Sequence, residues 1–185
     1  MLRRASVTSE AAHSLPTRPA ANPAAVAALA IAATAAATLA GAWFFELVLD
    51  IRPCPLCLEQ RYAYYLAVPL ALVVAFAAAR GAPRPVLLAG FAVLLLAALA
   101  NVWLGGYHAG VEWQFWPGPT DCAGSVVDLG SAGTLLQRLD AEKVVRCDEV
   151  QWRFLGLSLA GYNVLISLAM ALMAVWGIVA AKRAA

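Results

Sequence analysis

Four long apolar stretches alternate with polar segments along the chain. Each stretch has close to the roughly 20 residues that a helix needs to cross a hydrocarbon layer about 30 Å thick. None contains an acidic or basic residue, although one such charge near the membrane centre would cost about 2.5 to 3.5 kcal/mol. The pattern predicts four transmembrane helices, over residues 24–45, 62–79, 86–104 and 155–180.

The polar segments predict the organisation of the rest of the chain. Residues 1–23 are rich in Pro, Ser, Thr and Ala and predict a flexible cytoplasmic leader, whereas residues 24–185 predict one membrane domain. A basic leader before an apolar stretch also fits a signal peptide. The apolar stretch is longer than the roughly 7 to 15 residues of a signal sequence, so we expect it to be retained as the first span.

The distribution of charge predicts the orientation. With four spans, the termini and the turn between the second and third spans share one side, which has seven basic residues and one acidic residue. The other side has six basic and ten acidic residues, and four of those six basic residues lie in a long loop that weighs less in the topology rule. We therefore predict cytoplasmic termini in a bacterial inner membrane, with periplasmic segments over residues 46–61 and 105–154.

Composition supports this fold class and excludes another class of function. The chain is 63% hydrophobic and 13% charged, which is too apolar for an ordinary soluble domain. Its 13 Lys and Arg residues form no cluster, so the sequence does not favour binding of a nucleic acid. The prediction is an all-α integral membrane protein, a four-helix transmembrane bundle embedded in lipid.

All four cysteines fall in the segments predicted to be periplasmic, where disulfides are stable. Cys54 and Cys57 form a Cys-x-x-Cys pair just before the second span, and the adjacent prolines suit the first turn of a helix. A thiolate at a helix N-terminus is stabilised by the helix dipole. Arg61 follows Cys57 by four residues and should share its helical face, where it could stabilise a thiolate or a reduced quinone anion.

The Cys-x-x-Cys motif could also belong to a metal or haem site, and Arg61 could have a structural role. A zinc site would normally need a second close pair of ligands, and Cys122 and Cys147 are 25 positions apart, so we expect no metal. A c-type haem would need His in the position that Leu58 occupies. Arg61, without the neighbouring thiols, would be interpreted as an interfacial anchor.

The long second outer segment holds the other pair, Cys122 and Cys147. Taken alone, these two cysteines would be a structural staple that closes a loop. Two dithiols on one face of a membrane protein can instead exchange electrons. Residues 126–145 predict a short amphipathic helix lying on the bilayer. His108 is either an interfacial hydrogen-bonding residue or a proton donor to a bound acceptor.

In these features the chain resembles the bacterial disulfide bond formation protein B family (DsbB). The resemblance runs from the first span to the fourth and rests on three segments: Cys54-Pro-Leu-Cys57 with Arg61, the segment from Tyr107-His108 to Cys122, and Cys147 followed by residues 151–157. It implies a membrane oxidoreductase that takes electrons from a periplasmic DsbA-like protein of the thioredoxin fold. The implied acceptor is ubiquinone or menaquinone, bound noncovalently near Arg61.

The resemblance also implies an order of reaction. Reduced DsbA would attack Cys122 of a Cys122/Cys147 disulfide, Cys147 and Cys54 would exchange, and Cys57 would pass electrons to the quinone. The reduction potential of DsbA is about −120 mV, whereas that of a thioredoxin-like disulfide is about −270 mV, so such a disulfide could oxidise DsbA only at a cost of roughly 7 kcal/mol. A quinone is therefore needed to draw the electrons onward.

Three alternatives remain from sequence. One is a relative that serves a single dedicated thiol partner. Another is a protein like vitamin K epoxide reductase, in which the close pair usually follows the loop pair, whereas here Cys54 and Cys57 come first. The third is a membrane subunit without enzymatic activity whose loop disulfide is structural.

Overall fold

The computed structural model describes residues 22–119 and 146–183. In this part of the chain there are four helices, α1 (Pro23–Leu47), α2 (Pro55–Ala79), α3 (Arg84–Glu112) and α4 (Leu159–Arg183), and a hairpin of two short strands, β1 (Arg153–Phe154) and β2 (Leu157–Ser158). All four helices are long and apolar enough to cross a membrane. The predicted fold class, a four-helix membrane bundle, is confirmed. The amphipathic helix predicted over residues 126–145 and nearly all of the predicted leader lie outside the described residues.

Two helices extend well beyond the predicted membrane spans at the end of the bundle that carries the cysteines. Helix α2 begins at Pro55, as the proline-flanked motif predicted, ahead of the predicted span at 62, and α3 continues to Glu112 rather than ending at 104. The predicted spans stopped where polar residues begin, but polar side chains of the extra turns such as Gln60 and His108 are buried in the protein, away from lipid. Residues 55–61 and 105–112, predicted as parts of connecting segments, are therefore helical.

The predicted start of the fourth span at residue 155 was wrong, because residues 153–158 form the hairpin. Strand β1 pairs antiparallel with β2, with Arg153 opposite Ser158 and Phe154 opposite Leu157. The intervening Leu155 and Gly156 have φ of 49° and 82°, the left-handed pair that a tight two-residue hairpin turn requires. The hairpin places Ser158 at the top of α4, facing the bundle.

Small side chains form much of the helix interface. The buried core is rich in alanine on α1 and α2, which lets the helix backbones approach closely where lipid gives no hydrophobic drive to pack. Phe91 of α3 is fully buried and lies against Gly177 of α4, where an added Cβ would come within 2.2 Å of the ring. Large apolar side chains such as Leu96 and Leu172 instead project outward, as a lipid-facing surface requires.

A buried polar cluster ties three helices together below the cysteine end. The hydroxyl of Tyr64 on α2 donates to Oδ1 of Asn163 on α4 at 2.5 Å, and Nδ2 of Asn101 on α3 donates to the same oxygen at 3.2 Å. Ser167 lies 3.1 Å from the Tyr64 hydroxyl and 3.0 Å from Asn101 Nδ2. These hydrogen bonds between helices fix how α2, α3 and α4 align, although Nδ2 of Asn163 has no hydrogen-bond partner among the described residues.

Candidate thiol redox site

Cys54 is the N-cap residue of α2. Its backbone is extended (φ −74°, ψ 165°), Pro55 follows at the first helical position, and Cys54 Sγ accepts a hydrogen bond from the backbone N–H of Cys57 at 3.3 Å. An N-cap side chain satisfies a backbone donor that the helix leaves free, and the positive end of the helix dipole favours a negative sulfur there. The proline-flanked motif therefore begins the helix and points one sulfur at its N-terminus.

Cys54 and Cys57 are free thiols with their sulfur atoms 2.9 Å apart. Together with His108 they place three groups that could bind a metal within 4.8 Å of one another. Two thiolates on one tetrahedral zinc ion would be about 3.8 Å apart, given Zn–S bonds of about 2.3 Å. The closer approach in this pair suits a dithiol that shares a proton and can close to a disulfide.

His108 lies in the last turns of α3 and is 2% exposed. Its Nε2 is 3.6 Å from Cys54 Sγ, and its Nδ1 is 2.9 Å from the side-chain nitrogen of Gln60, which is also buried. A nitrogen of Gln60 that donates to Nδ1 leaves the proton of the neutral imidazole on Nε2, facing the sulfur. Of the two alternatives for His108, an interfacial position is therefore the poorer description, and its proton-transfer role stays a prediction.

These contacts lower the pKa of Cys54 to about 5 from an ordinary value of 9.0. The largest cause is the hydrogen bond from the Cys57 thiol, which burial opposes and the hydrogen bond and charge of His108 reinforce. Hydrogen bonds to the charged form of an acid stabilise that form. Cys54 is thus a buried thiolate at neutral pH, with Cys57 holding the proton that the pair retains.

A carboxylate is the next group beyond the histidine. Glu112 Oε1 is 4.0 Å from the same Nε2 of His108, and its side chain is only 6% exposed. The other carboxylate oxygen accepts a hydrogen bond from the hydroxyl of Ser158 in the hairpin. The hairpin therefore supports a chain of polar groups that runs from Cys54 through His108 to Glu112.

Cys147 lies in the same buried cluster as Cys54, together with Leu56 and Val111. It is 1% exposed and is disulfide-bonded, in contrast to the free close pair. Cys122 lies outside the described residues. The structure thus brings three of the four predicted cysteines to one end of the bundle, with members of the two predicted pairs packed in one cluster.

A cavity of about 650 Å³ opens beside the close pair. Cys54, Cys57, Arg61, His108 and Glu112 line one end of it. The wall is mostly apolar and comes largely from α1 and α4, with contributors such as Leu39, Phe45 and Ile166. A volume of several hundred Å³ with an apolar wall and a few converging polar groups is typical of a site for a small organic molecule.

Arg61 lines this cavity together with Cys57, one helical turn before it, and it has a partner that the sequence did not reveal. Its Nη1 is 2.5 Å from Oε2 of Glu46 at the end of α1, with side-chain exposures of 12% and 31%. The ion pair explains how a guanidinium is held on the cavity wall instead of extending into the headgroup layer.

Gln60 and Glu112 were missed as well. In the linear sequence they were only a polar residue after the motif and one of ten acidic residues on the outer side. Two spacings pointed to them. Gln60 follows Cys57 by three positions and Glu112 follows His108 by four, so each shares a helical face with a residue that was singled out.

Comparison with known proteins shows which family the chain is similar to. A family model described as disulfide bond formation protein DsbB matches residues 24–177. The chain is 36% identical to disulfide bond formation protein B of Azoarcus sp. over 80% of this chain and 88% of that protein. It is 30% identical to the protein of the same name from Aromatoleum aromaticum, over 84% of this chain and 92% of that protein. The corresponding protein of Hahella chejuensis is 31% identical over 77% of this chain and 84% of its own length.

Proposed function

The chain belongs to the DsbB family of disulfide bond formation proteins, and from that premise we propose that it reoxidises a DsbA-like dithiol protein and passes the electrons to a quinone. Membership confirms the resemblance read from the motifs and supports an oxidoreductase role in disulfide bond formation. The identity of the electron donor and of the acceptor is the proposal.

One structural observation supports this proposal most strongly. The free Cys54/Cys57 pair stands on the wall of an apolar cavity that also holds a fixed guanidinium. A soluble thioredoxin-like pair would need only an exposed sulfur, whereas here Cys54 is buried and Cys57 half-buried beside space that a lipid-soluble molecule could fill. The arrangement suits a dithiol whose oxidant comes from the membrane.

The cavity residues fit a quinone. A quinone head group is a flat ring with a carbonyl oxygen at each end, and it has no charge until it is reduced. Arg61 can donate to one oxygen and stabilise the negative charge that develops on reduction, while the apolar residues of α1 and α4 suit the ring. When bound there, a quinone would supply a two-electron acceptor next to Cys57.

The protein's own groups would transfer the electrons by thiol exchange. A thiolate of the reduced partner attacks Cys122 and releases Cys147 as a thiolate. Cys147 then attacks Cys54 of the oxidised close pair and releases Cys57. The second thiol of the partner attacks the mixed disulfide with Cys122, which releases the oxidised partner and frees Cys122. Cys122 then attacks Cys147, which restores the loop disulfide and leaves two thiols at 54 and 57. The bonded Cys147 and the free close pair correspond to the state in which both electrons have reached Cys54 and Cys57.

We also propose that the site faces the periplasm from a bacterial inner membrane, with both termini cytoplasmic. Four apolar helices make the chain a multi-pass membrane protein. The excess of basic residues at the opposite end supports this orientation. A membrane-impermeant thiol reagent should label Cys54 or Cys57 in intact cells after mild reduction. Labelling that occurs only after lysis would indicate the opposite orientation.

A dedicated thiol partner is the alternative that the same geometry serves equally well, because partner choice depends on the loop around Cys122. A function like that of vitamin K epoxide reductase is disfavoured by the order of the cysteines in this chain and by the match to a different family. A purely structural role for the cysteines disagrees with a reduced close pair that lines a cavity.

The test is a turnover assay with purified protein, a short-chain ubiquinone and a reduced DsbA-like protein, followed by quinone absorbance. We expect Cys57→Ser to abolish turnover and Arg61→Met to raise the KM for quinone at least about tenfold, the loss expected for a charged hydrogen bond. Leu96→Ala, on the lipid-facing surface, is the control and should leave both constants unchanged. Quinone reduction that persists in Cys57→Ser would contradict the proposed function.

A further inference from the structure

Glu112 is a buried carboxylate for which thiol exchange has no use. Its side chain is 6% exposed, and its contacts in the described part of the chain are the Ser158 hydroxyl and the His108 ring. A buried carboxylate is costly unless it is hydrogen-bonded and faces positive charge or a proton. The nearby charged and titratable groups are Cys54, Cys57 and His108, with Arg153 of the hairpin contributing at longer range.

One nitrogen of His108 lies close to both Glu112 and the sulfur of Cys54. His108 Nε2 is 3.6 Å from Cys54 Sγ and 4.0 Å from Glu112 Oε1. A proton on Nε2 can therefore face either the sulfur or the carboxylate after a small tilt of the ring, with no rotation by 180°. Gln60 can hydrogen-bond to either the neutral or the protonated ring of His108, because its amide can present either its NH2 group or its oxygen to Nδ1.

We propose that Glu112, acting through His108, holds at the reduced site the proton that Cys54 loses, and gives it up when the disulfide forms. While Cys54 is a thiolate, its negative charge and that of Glu112 both favour the protonated ring between them. When the disulfide forms, the charge on sulfur disappears and the ring loses one of the two groups that hold its proton.

The proton and electron balance rests on the proposed function. Oxidation of the dithiol forms one S–S bond and releases two electrons and two protons, which a quinone needs in order to become a quinol. Cys57 supplies one proton from its thiol. His108 and Glu112, which line the same cavity, return the other, so neither proton has to come from the water outside.

This proposal predicts how the Cys54/Cys57 equilibrium with glutathione depends on pH. Two glutathione thiols bring two protons to the reaction below their own pKa, so the equilibrium constant does not depend on pH if the reduced site keeps both protons. If the site keeps only the Cys57 proton, the constant changes about tenfold per pH unit, or about 30 mV. The pH at which the flat dependence gives way to the tenfold dependence marks loss of the stored proton.

The test measures this break in quinone-free protein, by trapping thiols with a mass tag after equilibration with glutathione at a series of pH values. Replacing a carboxylate 4.0 Å from Nε2 by a neutral amide lowers the proton affinity of every group nearby. We expect Glu112→Gln to move the break down by about one to three pH units, and Glu112→Asp to restore most of it.

Glu149→Gln is the matched control, because Glu149 is an exposed carboxylate on the wall of the same cavity. It removes the same formal charge and should leave the break in place. Ser158→Ala offers an independent variant if Glu112→Gln does not fold. Loss of the hydroxyl that donates to Glu112 leaves the carboxylate free to interact more strongly with the proton on the His108 ring, so the break should move up.

An unchanged break in Glu112→Gln, or in Ser158→Ala where the first variant cannot be purified, overturns the proposal. An equal shift in Glu149→Gln overturns it too, since the effect would then be one of overall charge. The proposed function can fail separately, because this measurement contains no quinone and no partner protein.

Discussion

Removal of the Cys57 sulfhydryl tests the origin of the unusual acidity of Cys54. The thiol of Cys57 is the largest cause of the low Cys54 pKa. Cys57→Ala removes that donor, whereas Cys57→Ser keeps a hydroxyl that can donate in its place. A hydrogen bond to a charged group contributes about 1.5 to 3 kcal/mol, so the alanine variant should raise the pKa of Cys54 by about one to two units relative to the serine variant.

The size of the effect follows from the pKa. With a pKa of about 5, Cys54 is about 90% thiolate at about pH 6, whereas a thiol with the ordinary value of 9.0 is about 0.1% thiolate there. A less basic sulfur is also a weaker nucleophile. With a Brønsted slope of about 0.4 to 0.5, four pKa units reduce the intrinsic rate about 40- to 100-fold, which leaves a net gain of roughly tenfold near pH 6.

Burial of Cys54 slows any reagent, so the assay compares rates for the same sulfur at different pH. In Cys57→Ser protein with the loop disulfide intact, the iodoacetamide rate at Cys54, read by mass spectrometry of its peptide, should be almost flat between about pH 6 and 9. An ordinary thiol would rise about 500-fold over that range. Alanine and serine variants with the same profile, or a serine variant that titrates near 9, would refute the argument.

The remaining predictions concern packing and the cavity wall. Gly177→Ala should lower the free energy of unfolding by about 1 to 3 kcal/mol, because its Cβ would lie 2.2 Å from the Phe91 ring. Gly41→Ala is the control, since a Cβ there would have nothing within 4 Å. Equal thermal midpoints for the two variants in detergent would contradict this packing. Glu46→Gln should raise the KM for quinone a few-fold with little change in kcat, because Arg61 loses the partner that fixes it, and Glu46→Asp should recover part of the loss. A lower KM in Glu46→Gln would show that the ion pair competes with the ligand.

Much of the architecture could be predicted because the membrane imposes a simple rule. Backbone groups in lipid must be paired, and an apolar run of sufficient length can pair them only as a helix. The four spans, and the start of a helix at the proline-flanked cysteines, follow from that rule and from local chemistry. The hairpin at 153–158 could not be predicted in this way, because its six residues contain no alternation long enough to distinguish a strand from the start of the next span.

The site was predictable to the extent that its residues carry their own chemistry. Two thiols three positions apart at a predicted helix N-terminus, with an arginine four positions after the second, favour redox work. The ion pair of Arg61 with Glu46 joins residues 15 positions apart on different helices, so no local spacing predicts it.

Hydropathy, charge bias and cysteine spacing sufficed for the membrane bundle, its four helices and the candidate redox thiols, since each depends on neighbours along the chain. Packing of the helices decided which groups surround those thiols. His108 comes from a helix whose contact with Cys54 spans 54 positions, and Glu112 is held by Ser158 across 46. Such contacts depend on how the helices pack and rotate against one another, and that rotation is set by interlocking small residues and buried hydrogen bonds rather than by any single stretch of sequence.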